Sequence, residues 1–495
     1  MATRSSNSPE PPGPPSLRRG LSLRDAIAVS VAGMGPTLSM NLNPQEPAQH
    51  VGRVIPLVFA VSTLLLLLVA WCFAHLSRRH PNAGSAYGFV TSVLGPRAGL
   101  LAGWALFGTY FAFALCSMAA FGLFRSDLAT RLHVLDHPSS MFFTIVGAAL
   151  VGLLCVTSTR RATTALTLLE GLAIVFMIGL SCAVLWKVFH GEGPRIDPAL
   201  GDLFVPAPGV GASAFTLALS FGFLSFAGFE EAATLGEEIQ RPYETIPRVL
   251  VGTILGAGLV YILATTAEVV GFGTDPAGLA RFTASKSLLA DLGESFFGPG
   301  CGDLMDLLAV ASAFGCSLAS VLAASRVLYA MTRDLLPSSP LARLSPGGTP
   351  LVASLAIVAL ALLGYLFMRL GCGASGSDAF FWGSTLGALA LLVAYLLVVV
   401  SAGVSFLRDR DGQSVFKVLI PLLAGIAIAF TLVVNVYPQQ LGAYAVLPWM
   451  VLIWCLLPTP LLLLRPDLVG RIVPLGRAYA PPLPPPPAPR GTRPV

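Results

Sequence analysis

From Phe215 to Arg248 an apolar run is interrupted by Gly222 and Gly228, then meets the acid pairs Glu230–Glu231 and Glu237–Glu238, and closes on Pro242 and Pro247. A plain membrane-crossing helix has no use for that order. Acids near bilayer depth are costly and usually face a cavity or a partner. Glycine lets the backbone leave helical geometry. The N–H and C=O groups freed by a break are tolerated at that depth only where protein or a water-filled site satisfies them. The stretch Ser225, Phe226, Ala227, Gly228 and Phe229 therefore reads as an unwound bend lining a binding site. The competing reading is a span that ends early, with both acid pairs at the membrane surface.

Only 11% of the 495 residues are charged and 55% are hydrophobic, against about 25% charged in a soluble domain. Many runs reach the roughly 20 apolar residues needed to cross a bilayer. The reading is an all-α membrane protein with twelve transmembrane helices, near 24–43, 54–76, 98–124, 140–157, 164–188, 214–235, 249–272, 304–332, 351–369, 379–404, 416–435 and 443–464. Residues 1–20 form a polar N-tail without the apolar core of a signal peptide, and 466–495 a Pro-rich C-tail. The transporter-like body is 21–465, divided into 21–190, 212–404 and 416–464. Net charge of +5, carried by scattered arginines, does not suggest a nucleic-acid partner. Cysteine and histidine spacing supplies no metal site, and no cofactor is expected. Cys301 and Cys372 fall in loops, where a disulfide and two free thiols are equally compatible with the sequence.

With the N-terminus inside, the interior loops and tails hold 22 of the 30 Lys and Arg. Both termini are therefore expected in the cytoplasm. The first span, DAIAVSVAGMGPTLSMNL, is broken by Gly33, Gly35 and Pro36, the last lacking an N–H and clashing with the preceding turn. Spans one and six are thus both interrupted, and each opens a set of five. Such pairs are the sequence pointer to an inverted-repeat carrier and its binding site. Free N–H groups at one break suit an anion and bare carbonyls at the other suit an ammonium.

The segment HPNAGSAYGFVTSVLG reads as a short amphipathic helix at the cytoplasmic interface. Glu170, one or two turns into span five, is either a functional acid or an interfacial carboxylate paired with Arg160 or Arg161. Glu268 reads as an outer-end, snorkelling residue. Arg326 and Arg333 share a helix face and, opposite Glu237 and Glu238, form either a gate-holding charge cluster or ordinary cytoplasmic anchoring.

FAGFEEAATLGEEIQRPYETIPR, SRVLYAMTRDLLP and PNAGSAYGFV with its following Gly-Trp resemble the sixth helix, the eighth-helix ending and the third-helix entry of the amino acid–polyamine–organocation permeases. The resemblance covers roughly residues 20–465. It implies the LeuT-type fold, a 5+5 inverted repeat plus two extra helices, and alternating access. It implies carboxylate binding at Ala32, Gly33, Met34 and Gly35, ammonium binding at Ser225, Phe226, Ala227 and Gly228, and Phe226 or Phe229 as an aromatic lid. The chain departs from the pattern at AGMGPTLSM, where Pro36 reshapes the carboxylate pocket. It departs again at Glu170, which stands where many members carry a lysine. Residues 125–139 lack the cysteine used by relatives that pair with a glycoprotein subunit, so none is expected.

The expected function is a secondary transporter of an amino acid or related amine in the plasma membrane, proton-coupled or an exchanger. Glu170, Glu230 and Glu231 are its coupling acids, because carboxylates dehydrated in a membrane cavity can exchange protons near neutrality. The alternatives are a non-transporting substrate sensor and a carrier for a non-amino-acid amine such as a polyamine. The small-molecule substrate and membrane lipid are the expected partners. A membrane enzyme is disfavoured, since no nucleophile–base pair falls within the spans.

Overall fold

The protein is seen in a computed structural model. It describes residues 20–80, 85–134, 138–156, 159–192, 200–205, 210–408, 416–437, 442–470 and 472. The two tails, most of residues 1–20 and 466–495, and the expected start of the interfacial segment at Pro81–Gly84 lie largely outside them. Every named element is helical. In chain order they are α1 (Leu23–Met34), α2 (Pro36–Leu42), α3 (Gln45–Val51), α4 (Ile55–Arg79), α5 (Ser85–Leu94), α6 (Pro96–Arg131), α7 (Ser140–Cys155), α8 (Thr159–Phe189) and α9 (Ala212–Phe226). They continue as α10 (Glu231–Thr234), α11 (Pro242–Phe272), α12 (Pro276–Ala284), α13 (Leu288–Phe297), α14 (Pro299–Leu335), α15 (Leu351–Leu366), α16 (Gly376–Arg408), α17 (Phe416–Val436) and α18 (Leu447–Leu456).

Nine helices among the described residues are long and apolar enough to cross a membrane. The three other expected spans are present in shorter pieces. The first divides into α1 and α2, the sixth into α9 and α10, and the fourth is the 16-residue α7. The divisions have a local cause. Gly35 takes the left-handed conformation (φ +50°) between Met34 and Pro36, which starts α2. Gly228 has φ +108°, so α9 cannot continue into α10. The second break runs over Ala227–Glu230, slightly later than the expected 225–229, because Ser225 and Phe226 are still helical.

Helix α1 opens on a capping box, with the Ser22 hydroxyl receiving Asp25 N–H and the Asp25 carboxylate receiving Ser22 N–H. Small residues then let helices approach closely. A Cβ on Gly258 of α11 would strike Thr63 of α4, and one on Gly222 of α9 would strike Ser62. Helix α5 departs from its expected interfacial placement. Ser85 to Thr91 and Val93 are buried, so it is a core element packed between α6 and α16. It starts at a left-handed Ser85 (φ +71°) and stops at Gly95 (φ +97°). Cys301 and Cys372 are both free thiols.

Candidate functional site between two broken helices

The two breaks lie against each other. Ser30 Oγ on α1 donates to Phe229 O (2.8 Å) within the second break and accepts from Ala232 N–H (3.2 Å) of α10. A Cβ on Gly228 would collide with the backbone of Gly33 and Met34, and one on Gly33 would sit 2.5 Å from the Glu231 carboxyl carbon. Gly228 therefore needs glycine both for its left-handed backbone and for this close approach, whereas at Gly33, inside α1, the missing side chain makes room for the Glu231 carboxyl.

A cavity of about 30 Å³ opens between the breaks. Gly33, Met34 and Ala227 come from the predicted set; Leu38, Ser39, Asn43, Phe113, Cys116, Ser117, Leu224, Cys316, Phe380 and Ser384 complete the lining. None of these residues carries a charge. The space holds water but not an organic ligand, so binding requires the walls to part. Of the expected residues, Ala32, Gly35, Ser225, Phe226, Gly228 and Phe229 stand behind the lining. Phe226 packs edge-on against Tyr261 (5.0 Å between centroids), and Phe229 against Phe73 (5.9 Å). Phe113 and Phe380 are the aromatic rings that face the cavity.

Few donors remain at the first break. Pro36 has none, Gly35 N–H returns to α1, and Leu38 N–H donates to Ser312 Oγ (3.2 Å). Its carbonyls are engaged too: Cys316 Sγ donates to Gly33 O (3.2 Å) and Ser39 Oγ to Met34 O (2.8 Å). Across the cavity, Asn43 Nδ2 donates to Ser225 Oγ (2.8 Å), while Asn43 Oδ1 is buried without a partner.

Three acids surround the cavity without lining it. Glu230 is fully buried and accepts from Tyr110 Oη of α6 (3.1 Å), Tyr395 Oη of α16 (2.7 Å) and Gly228 N–H (3.2 Å). Glu231 is fully buried with neither oxygen in a hydrogen bond. Glu230 is an adjacent like charge, and the Arg326 guanidinium opposes it with a positive one. Glu170 of α8 accepts from Ser312 Oγ (3.1 Å) and keeps its other oxygen unpartnered beside Gly315. Ser312 thus joins Glu170 to the start of α2. Glu170 is 1% exposed, and the side chains of its alternative partners Arg160 and Arg161 lie outside the described residues. An ionised carboxylate cannot stay isolated in such surroundings, so the unpartnered oxygens of Glu231 and Glu170 call for a proton or a cation.

Each end of the site is sealed. At one end Arg326 pairs with Glu238 (Nε–Oε1 2.5 Å), Arg333 with Glu237 (3.3 Å), and Tyr87 Oη donates to Asp334 (2.8 Å). There the segment before α1 also binds the chain after α10, with a parallel bridge between Leu21 and Ile239. At the other end Asn41 Oδ1 of α2 accepts from Ser287 Oγ (2.8 Å) and Leu289 N–H (2.9 Å). Arg131 of α6 there gathers Asp127, Asp291, Glu294 and Asp306.

Sequence reasoning missed several of these residues. Tyr110 and Tyr395 are hydroxyls in the middle of apolar runs, which was an available signal. Of the Arg131 cluster only Asp127, four residues away, was visible locally; Asp291 and Glu294 lie 160 and 163 residues off. Glu268 corrects an expectation outright: it is fully buried with both oxygens unpartnered, because the C-terminal end of α11 is covered by α12 and α13 and the side chain cannot snorkel.

Two facing helix breaks around a small cavity, in an all-helical body with many apolar spans, mark a multi-pass membrane protein. The chain belongs to the amino acid permease family, whose sequence profile matches residues 38–456. It is similar to the branched-chain amino acid permease BcaP of Lactococcus lactis, 26% identical over 79% of this chain and 83% of that protein. An uncharacterized transporter of Mycobacterium tuberculosis is 30% identical over 65% of this chain and 67% of its own length. The low-affinity putrescine importer PlaP of Escherichia coli is 26% identical over 50% and 53%.

Proposed function

We propose that this protein is a secondary transporter that carries a small neutral amino acid across the plasma membrane by alternating access. The observation that carries the reading is the cavity at the paired breaks, walled by apolar and hydroxyl-bearing side chains and by no charged one. A diamine would be left without a counter-charge there, an arrangement that disfavours binding. An aliphatic side chain suits Leu224, Phe113 and Phe380. The name of BcaP, a branched-chain amino acid permease, agrees with that chemistry better than the name of PlaP.

The nine long helices, the two broken pairs and α7 together are compatible with twelve spans in a LeuT-type 5+5 repeat plus two, with both termini cytoplasmic. In this reading the unpartnered Asn43 Oδ1 and the carbonyls at Ala227 receive the ammonium. Because the first break has little left to donate, Ser39, Ser117 and Ser384 take a larger share of the carboxylate than the backbone of Gly33 to Gly35. The Glu230–tyrosine contacts and the Arg326 and Arg333 pairs close the inner path. Arg131 and Asn41 close the outer one. Glu231 and Glu170 hold the coupling protons, so that protonation relieves a buried charge when the carrier turns over.

The test is uptake into liposomes of the purified protein. Labelled valine, leucine and isoleucine are expected to accumulate, faster with an acidic exterior, and to exchange in counterflow, while putrescine does not. Binding of these amino acids without any counterflux would instead establish a sensor. Putrescine flux with no amino acid flux would overturn the neutral-ligand reading.

A further inference from the structure

On the side of the molecule away from the paired breaks, α6, α15, α16 and α18 enclose a crevice of about 390 Å³, far larger than the central cavity. α16 contributes Gly383, Leu386 and Ala390, and α18 contributes Leu447, Val451 and Trp454. Each set recurs at three- and four-residue spacing, so each is one face of its helix. Leu447 to Trp454 spans about 10 Å at the rise of an α-helix, roughly a third of the bilayer's apolar thickness. At the shallow end the rim includes Phe367 (68% exposed) and Cys372, also exposed.

The lining is almost wholly apolar. The Trp454 indole N–H donates to Trp104 O (3.2 Å), and Trp104 returns one to Trp454 O (2.9 Å). A water needs two to four polar partners, so this crevice does not hold an ordered one. An empty crevice would forfeit the dispersion contacts of its whole wall. Within a bilayer, the apolar material always at hand is an acyl chain.

Charge supplies the second half of the argument. Beyond α15 the chain makes a π-helical turn, Phe367–Gly371, which carries Arg369 beside the rim residues Phe367 and Met368. Arg369 gives Nη1–H to Ala374 O (2.5 Å), and its Nε–H has no acceptor. No carboxylate pairs with it among the described residues. A half-buried guanidinium next in sequence to the rim, with no carboxylate on it, matches a phosphate above a hydrocarbon tail.

We propose that the crevice between α6, α15, α16 and α18 binds one anionic phospholipid, with an acyl chain along the Trp454 wall and its phosphate on Arg369. The site is separate from the transport cavity and stands whether or not the substrate assignment does.

The experiment uses delipidated full-length protein in detergent, titrated with phosphatidylglycerol brominated on its acyl chains. Trp382 and Trp454 line the crevice and report occupancy by quenching. Quenching that saturates at one lipid per protein is expected. Arg369→Gln should weaken phosphatidylglycerol about tenfold, the loss of a charge-assisted hydrogen bond, and leave brominated phosphatidylcholine unchanged. Ala443→Phe, at the partly exposed rim, should abolish saturable quenching by both, with an unaltered unfolding temperature in lipid-free detergent showing that the fold is intact. Glycerol phosphate should not compete. The proposal is overturned by non-saturable quenching, by equal quenching in Ala443→Phe, by competition from glycerol phosphate, or by concentration-dependent dimers cross-linked through Cys372, which would put a second copy in the crevice.

Discussion

Gly33 is the residue on which the site turns. Its missing side chain leaves room for the Glu231 carboxyl, and a methyl group there would have to displace it. Gly33→Ala is expected to destabilise the protein by about 1–3 kcal/mol, as overpacking does, and to abolish uptake before it abolishes folding. Uptake assays beside detergent melting curves separate the two effects. Gly171, on the same membrane span as Glu170 but with open space where its Cβ would be, is the control and should tolerate alanine. Glu170→Gln keeps the shape and the Ser312 contact but cannot exchange a proton. If Glu170 relays the coupling proton, uptake by the variant loses its dependence on external pH. Unchanged dependence across the pH range would assign coupling to Glu231 alone.

At the scale of elements, the seal on α14 is an ion pair whose side chains are 3% and 4% exposed. Arg326→Met strands Glu238 in that setting. Loss of one member of a buried pair costs roughly 3–5 kcal/mol. Adding Glu238→Leu should recover most of it, since two apolar residues replace two charges. If the pair also holds the closed state, the double variant will be stable yet leave its substrate path labelled more readily by a thiol reagent at Cys316.

The elements show which information was local. Gly35 followed by Pro36, and Gly228 after an apolar run, announced both breaks because a break is decided by the conformational freedom of the residues within it. Long apolar stretches likewise announced the spans. The pairing of Glu230 with Tyr110 and Tyr395 was not legible, because it joins three helices 120 and 165 residues apart. The depth of Glu268 and the burial of α5 were missed for the same reason: each is decided by what packs on top.

For the molecule as a whole, the distribution of basic residues sets a direction that labelling can read. In a variant retaining only Cys372, exposed after α15, a membrane-impermeant maleimide added to intact cells should react. Labelling only after lysis would invert the orientation.

The contact between Gly228 and Gly33 has a mechanical consequence. No atom can be inserted there, and the Ser30 hydroxyl fastens the same two segments. Like meshed teeth, neither broken helix can swing without carrying the other. On the proposed function, the two segments are expected to move together against α6, α14 and α16. Fixed cross-links between α1 and α10 should leave turnover running, whereas equivalent links from α10 to α14 should arrest it.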